Sequence, residues 1–474
     1  MATGKLRFIR GVLLVGLLLG WGNAQGIEIN YAALMEKHGL SPGMKITKEN
    51  ADLIKNLVPN VVYERTKNGE YLFTIGKFES PDLLTKIWDQ EFYEASKQSA
   101  GKYDVDEDGG IIDKATGKRP WPMPLGLPFP NLDLTESPKK VGTKIFWNVV
   151  ALAPTCNEQD HHGARLGSMP IHGTMERYLS LKQLRQYIDF RRTPVQIDRP
   201  VIFQEIQFIS EPADAFGTAN LTWRWSDPKK WDSVWGFSPS TRRVRRLTAA
   251  NRSDAVLGTE FVQDDGTPSY NGKLEMMEWK YIGKGEALLP VYLQEDQAPD
   301  DYVAKLTYKA APSSYYTKSP GAYQQQYKKV MAGFMENPQQ HASYWTLSLL
   351  WIPVPVYIVE GVPKDSYYNY GRMIFWLEQA SFTPTWKQVY NRSGEYWRTN
   401  LLFFEYPRFN VGGKEQVCFD GVGASFIDDK NNRGTIGADT GDNLIGKRGG
   451  PSVSYNTGLG SEAFDLSRFL EYGK

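Results

Sequence analysis

Apolar positions recur with two different periods along this chain, and the period changes near residue 200. Before that point the pattern is mostly helical. Ser80-Pro81-Asp82 supplies an N-cap, a proline at the first helical position and an acid in the first turn, the combination that opens helices. Leu83, Leu84, Ile87, Trp88 and Phe92 follow at helical spacing. A weaker helical pattern starts near Thr47 and carries Leu53, Ile54 and Leu57. Residues 174–190 also read as helix, with Thr174 as N-cap. Between these stretches, residues 119–130 hold five prolines, a density that excludes helix and regular sheet pairing and leaves an extended segment.

From residue 200 onward the period is two. Val201–Ser210 alternates, Leu221, Trp223 and Trp225 fall on one side of the next run, and Met276–Ile282 and Ser343–Glu360 follow. Met373, Phe375 and Leu377 face opposite Arg372, Ile374 and Trp376. Runs near 385–390 and 395–404 are joined by Asn391-Arg-Ser-Gly394, a hairpin turn. Sequential strands with short turns predict an antiparallel meander rather than a βαβ fold. One helix interrupts it at 321–336, stopping before Asn337-Pro338. Several strands are apolar on both faces, with Trp376 opposite Phe375 and a second pair in Trp345 and Trp351. One apolar face packs on a core; the other must meet helices, a second sheet or an apolar cavity. Residues 421–460, rich in Gly, Asp and Asn, predict loop. Phe464, Leu466 and Phe469 then dock the end of the chain.

The first residues change the charge arithmetic. Lys5, Arg7 and Arg10 precede the short apolar run 11–19, and Gly22 and Ala24 provide small residues at a cleavage position. This is the pattern of a secretory signal peptide over residues 1–24, and the run falls short of the ~20 residues needed to span a bilayer. Removing it shifts the net charge from +1 to −2, which argues against nucleic acid as a partner. In an oxidising compartment Cys156 and Cys418 can form a disulfide, which in the chain-entropy model adds about 4–5 kcal/mol; the alternative is two buried thiols.

Candidate chemistry is sparse. Cys156, Glu158, Asp160, His161, His162 and His172 lie close together, but their spacing matches no zinc motif. Asp104, Asp106 and Asp108 with Gly109 resemble the start of a calcium loop, yet Ala115 stands where a bidentate Glu belongs. The same stretch reads more simply as a hairpin, with Asp108-Gly109 as the turn between 103–105 and 111–112. Thr241-Arg-Arg-Val-Arg-Arg246 is a basic strand, suited either to solvation or to phosphate and carboxylate groups. Nucleophile elbow, P-loop, dinucleotide fingerprint and His-Glu-x-x-His are all absent, so the sequence assigns no catalytic residue, no metal and no cofactor. A secreted hydrolase or carbohydrate-binding protein, using carboxylates and stacked aromatics, is the alternative that motif absence leaves open.

Several segments together carry a resemblance. They are Gly126-Leu-Pro-Phe-Pro130 with Phe146-Trp-Asn148, Pro212–Gly217, Trp231–Arg246, Glu278–Glu286 with Leu289-Pro290, and Tyr370–Glu378 through Tyr390–Arg398. Their order and spacing resemble a bacterial secreted family known as domain of unknown function 1329, over about residues 120–405. That family is similar in fold to the lipoprotein-sorting proteins LolA and LolB. The resemblance implies an α+β fold, a large unclosed antiparallel β half-barrel with helices across its concave face. Taken with the residue patterns above, it divides the chain into a signal peptide (1–24), a mixed, mainly helical region (25–118), the half-barrel (119–410) and a Gly/Asp-rich C-terminal loop region (411–474); the first 120 residues and the tail lie outside the resemblance. The resemblance implies a periplasmic or outer-membrane-associated, non-enzymatic carrier for a lipid, an acyl chain or another hydrophobic small molecule, with an envelope exporter of the resistance–nodulation–division type as a partner. Cavity lining would then fall to Trp223, Trp225, Trp235, Trp279, Trp345, Trp351, Phe375 and Trp376.

Overall fold

The structure, a computed structural model, describes residues 29–76, 87–171, 176–291, 350–438 and 453–469. The signal-peptide stretch, the expected helix at 321–336, the Ser80–Asp82 helix start, Trp345 and His172 lie outside them. Helices and short strands come first: α1 (Tyr31–Lys37), β1 (Lys45–Ile46), α2 (Asn60–Lys67), β2 (Phe73–Ile75), α3 (Gln90–Ser99), β3 (Tyr103–Val105), β4 (Ile111–Asp113) and α4 (Pro138–Val150). Strands then dominate: β5 (Glu158–Pro170), β6 (Arg177–Tyr187), β7 (Val201–Glu211), β8 (Ala219–Trp225), β9 (Ser233–Ser238), β10 (Arg243–Leu247) and β11 (Met277–Val291). After the undescribed stretch come β12 (Leu350–Pro363), β13 (Arg372–Glu378), β14 (Pro384–Tyr390), β15 (Tyr396–Glu405), β16 (Arg408–Val411), β17 (Lys414–Val417), β18 (Asp420–Asp428), β19 (Arg433–Ala438) and β20 (Val453–Tyr455).

Sixteen of these strands form one sheet, in the order β1-β2-β12-β13-β14-β15-β18-β19-β5-β6-β7-β8-β9-β10, with β11 paired to β12 and β20 to β5. Every pairing is antiparallel except β2 with β12. Among the described residues β10 pairs only with β9 and β1 only with β2, so the sheet does not close. The expected meander is therefore present in two halves, β5–β10 and β11–β15. They meet through β18 and β19, which lie between β15 and β5.

That junction corrects the loop expected over 421–460. In its described part the Gly-rich sequence forms β18, β19 and β20, with a turn at residues 429–432. Glycine there serves packing rather than turning: a Cβ at Gly423 would stand 2.1 Å from Cε2 of Phe403 on the neighbouring strand. Phe464 and Phe469 do dock the chain end, both fully buried against Leu184, Ile206 and Leu221, while Leu466 stays exposed.

Two helical expectations are also corrected. Residues 177–187, read as helix, are strand β6. Leu181 and Leu184 mimic a helical step, but both faces of the strand are buried, so period-two alternation is lost. Near Thr47 there is only a 3₁₀ turn at Ala51–Ile54, and the following helix is α2. Helix α3 starts at Gln90, where the Asp89 carboxylate accepts the Phe92 N–H at 3.0 Å.

Two elements cover one face of the sheet, here the inner face. Helix α4 opens with Ser137 as N-cap and Pro138 at its first turn. Its Phe146 ring stacks on Trp279 at 3.6 Å and meets Phe375 edge-on at 4.8 Å. The approach depends on Gly142, where a Cβ would lie 2.6 Å from the Tyr281 backbone nitrogen. The second cover is the irregular segment 249–276, which touches both halves of the sheet through buried polar groups.

On one half, Arg185, Glu205 and Thr222 are cross-strand neighbours on β6, β7 and β8. Glu205 accepts from Arg185 Nε at 2.9 Å and from Gln263 of the segment at 2.9 Å; Thr222 accepts from Arg252 at 2.9 Å. On the other half, Lys387 of β14 pairs with Asp265, and both side chains are fully buried. Tyr370 donates to the same Asp265 at 2.7 Å, and Arg398 of β15 donates to the Glu260 carbonyl at 2.8 Å. Burial alone would lift the Glu205 carboxyl, but Arg185 and Arg252 hold it below its ordinary value.

A buried ion pair is costly to break because one partner then keeps its charge without compensation. Asp265→Ala should therefore lower unfolding free energy by about 3–5 kcal/mol. The double change Asp265→Leu with Lys387→Met should cost clearly less, as read by urea denaturation.

Candidate functional site

Two of the larger cavities lie beside the covers of the inner face. One, of about 50 Å³, lies against α4 and is lined by Trp147, Tyr187, Phe190, Phe203 and Tyr270, together with Asp189, Arg224, Lys273 and Glu275. Asp189 and Glu275 both bond Arg119, at 2.7 and 3.1 Å. The Lys273 ammonium donates to the carbonyls of Trp225, Asp227 and Lys230. Its charged groups are thus committed to fixing the segment.

The other cavity, of about 80 Å³ and more open, sits where the two halves of the sheet meet. Ala164, Leu166 and Leu181 line it from β5 and β6, Leu402, Ala424 and Phe426 from β15 and β18, and Phe261 of the covering segment closes it. Gly421, Gly423 and Gly437 complete the lining; the space a Cβ would need at Gly421 is taken by Thr267, and at Gly423 by the Phe403 ring. Polar side chains share the lining: His161, Gln183, Arg185, Gln207 and Thr267, all buried. His161 Nε2 lies 3.5 Å from the buried Asp420 carboxylate, which also accepts from the Tyr455 hydroxyl at 3.0 Å. This is a mainly apolar pocket with a few buried polar groups in its lining, suited to hold an uncharged chain and to orient a polar end.

The described aromatic residues among those expected to line a cavity border neither of these two. Trp279 and Phe375 come together, 5.8 Å apart, but α4 fills the space between them and any ligand. Trp351 is buried between Phe73 and Trp386. Trp223 packs on Trp225 and Trp235 at 6.0 and 4.6 Å, on the opposite, outer face, where its Nε1 donates to the Phe464 carbonyl. Trp376 is half-buried on its strand. The sequence shows which strands are aromatic, but ring size does not distinguish a cavity wall from a filled core. The pocket residues, mostly aliphatics and glycines from five strands, carry no such signal. The glycine pattern of 421–437 is the one trace they left in the sequence.

The polar candidates are dispersed. Glu158 and Asp160 alternate with His161 along β5 and so point to opposite faces. Among the described residues no three His, Cys, Asp or Glu side chains are grouped as a metal site. Asp104–Asp108 forms the β3–β4 hairpin: Asp106 accepts the Gly110 N–H at 2.7 Å, and Asp104 is paired with Lys140 and Lys144 at 2.7 and 3.3 Å. Glu378 is the carboxyl that burial pushes up to about 7. Its oxygens accept from the Ala380 and Ser381 N–H groups and the Ser381 hydroxyl, which fixes a turn. Cys156 and Cys418 are buried thiols, unbonded to each other. Each reaches the carbonyl beside the other: Cys156 Sγ is 3.6 Å from Phe419 O, and Cys418 Sγ is 3.8 Å from Thr155 O. No described helix is long and apolar enough to cross a membrane.

The chain belongs to the family described as Protein of unknown function (DUF1329), which matches residues 45–441. No curated protein matches it. Among solved structures it is similar to a domain from Vibrio parahaemolyticus described as an outer membrane lipoprotein-sorting protein, with 13% identity over 69% of this chain and 98% of that one and a TM-score of 0.42. It is also similar to a DUF1329 family protein from Desulfovibrio piger (13% identity, 70% and 99% covered, TM-score 0.42). A LolA superfamily protein from Nitrosomonas europaea matches at 13% identity, with 69% and 98% covered and a TM-score of 0.34.

The raised Glu378 carboxyl fixes a sign. Its folded value exceeds the unfolded one, so its contribution to stability is complete below about pH 4 and is lost as pH rises through about 7. Unfolding free energy should decline over that interval, and Glu378→Gln should flatten the decline. The thiol pair gives a second expectation. Mild oxidation of the folded protein should consume both thiols in a thiol titration without forming dimers, whereas Cys156→Ser should leave Cys418 titratable only after unfolding.

Proposed function

We propose that this member of the DUF1329 family is a non-enzymatic carrier or chaperone of the bacterial envelope. It shields a lipid, a lipoprotein acyl chain or a similar hydrophobic group in the pocket between the two halves of the sheet. The observation that carries the reading is that pocket: aliphatic walls from β5, β6, β15 and β18, with Phe261 across it and polar side chains in the same lining. Each methylene buried there gains about 0.8 kcal/mol. At about 80 Å³ the pocket is smaller than the roughly 300 Å³ of ordinary small-molecule sites. In this form it takes the tip of a chain, and deeper entry requires the segment carrying Phe261 to shift. The basic and apolar start of the sequence supports export, with residues 1–24 removed and the mature chain periplasmic or attached to the outer membrane. An envelope exporter of the resistance–nodulation–division type is the partner that the family resemblance supports.

An organic extract of the purified mature protein should contain a bound amphiphile by mass spectrometry, and a fluorescent fatty acid should bind saturably. Ala424→Trp, which fills the pocket, should weaken that binding at least about tenfold with an unchanged far-ultraviolet circular dichroism spectrum. An empty extract together with no fatty-acid affinity overturns the carrier reading, and turnover of a glycan would replace it with a hydrolase.

A further inference from the structure

Arginines in the body of the fold reach carboxylates, as Arg185 does Glu205 and Arg224 does Asp232. The β9–β10 hairpin breaks that pattern. Arg242, Arg243, Arg245 and Arg246 are all exposed. None is ion-paired among the described residues; the contact that Arg246 makes is a 3.4 Å bond to the Ser233 hydroxyl. Lys229 and Lys230 add two more exposed cations at the base of the hairpin. From residue 228 to 248 the acidic residue is Asp232, and it is buried against Arg224. A chain whose mature charge is slightly negative thus concentrates uncompensated positive charge at one place.

That place is the free rim of the sheet. Among the described residues strand β10 ends the strand order and pairs only with β9. Opposite residues in the register share a face. Val244 and Arg246 lie beside Phe237 and Trp235, while Arg243 and Arg245 lie beside Ser238 and Gly236 on the other face. The cations therefore flank both sides of the edge. Trp231, 43% exposed, follows Lys229 and Lys230 directly and leads into β9, and Trp235 and Phe237 are half-buried.

We propose that this rim docks the protein on a membrane surface rich in anionic phospholipid headgroups. A planar array of phosphates can meet guanidinium groups on both faces of a protruding edge at once, and guanidinium suits phosphate geometry. Exposed tryptophan at the same rim fits the headgroup layer. A protein partner adding a strand would need the open backbone of β10, and charges on both faces of an edge oppose that pairing. The proposal does not depend on the pocket having a ligand, so it can stand or fall separately from the carrier reading.

The test is co-sedimentation of the full mature chain with vesicles of phosphatidylcholine alone and of phosphatidylcholine mixed with phosphatidylglycerol. Binding should require phosphatidylglycerol and weaken steeply with salt. Arg243→Glu with Arg245→Glu should reduce it at least about tenfold, whereas Arg243→Lys with Arg245→Lys should retain most of it. The same charge change elsewhere, Lys114→Glu with Lys118→Glu, should have little effect. Binding without preference for phosphatidylglycerol, or equal loss in the control variant, overturns the proposal. So does a glutamate variant that self-associates while binding vesicles normally, because the arginines would then only guard the edge. Free inorganic phosphate competing as well as vesicles would also overturn it.

Discussion

Lys387 and Asp265 meet without exposure to water, between a strand of one half of the sheet and the segment that crosses its inner face. Glu205 holds the same segment to the other half through Gln263 and, with Arg185, stands beside Arg252. An open sheet of this length has no closure of its own to fix its curvature. Here the two halves are tied to a common irregular piece by charged groups that cannot be left unpaired in a low-dielectric interior without large cost. The covering segment is consequently specific in position, and the space it leaves is the apolar pocket at the junction of the halves.

The two faces divide the labour. Inside, α4 contributes an aromatic stack on Trp279 and Phe375, the charged segment fixes the middle, and aliphatic residues with glycines form the pocket. Outside, Trp223 and Trp235 are covered by the chain end through Phe464 and Phe469. Two apolar faces therefore do not mean two binding surfaces. One Trp-rich face is closed by the protein's own terminus, and the other by a helix.

Much of the strand framework was legible. The hairpin of β14 and β15 around Asn391–Gly394, the proline-rich extended stretch and the docking of Phe464 and Phe469 follow local rules: turn chemistry, the missing proline N–H and the need to bury phenylalanine. Strand β6 was not legible, because burial on both faces hides the period of two. Strands β18 and β19 were hidden for a different reason. Their glycines exist to admit rings such as Phe403 from neighbouring strands, and glycine read locally means turn. The pocket escaped for the same reason, since its walls are ordinary small residues from strands far apart in sequence.

What the sequence by itself determined is the antiparallel class, most of the strand positions, the helical and extended nature of its early part, and a family resemblance carried by ordered short segments. These depend on side-chain period and backbone chemistry within a few residues. What only the tertiary structure decided is which aromatics are core, that Cys156 and Cys418 become neighbours, that buried carboxylates and cations tie residues 249–276 to both halves, and where space remains. Those outcomes depend on register and long-range pairing. A one-residue shift between strands reverses the face of every side chain, and no local pattern records which partner a buried charge will find.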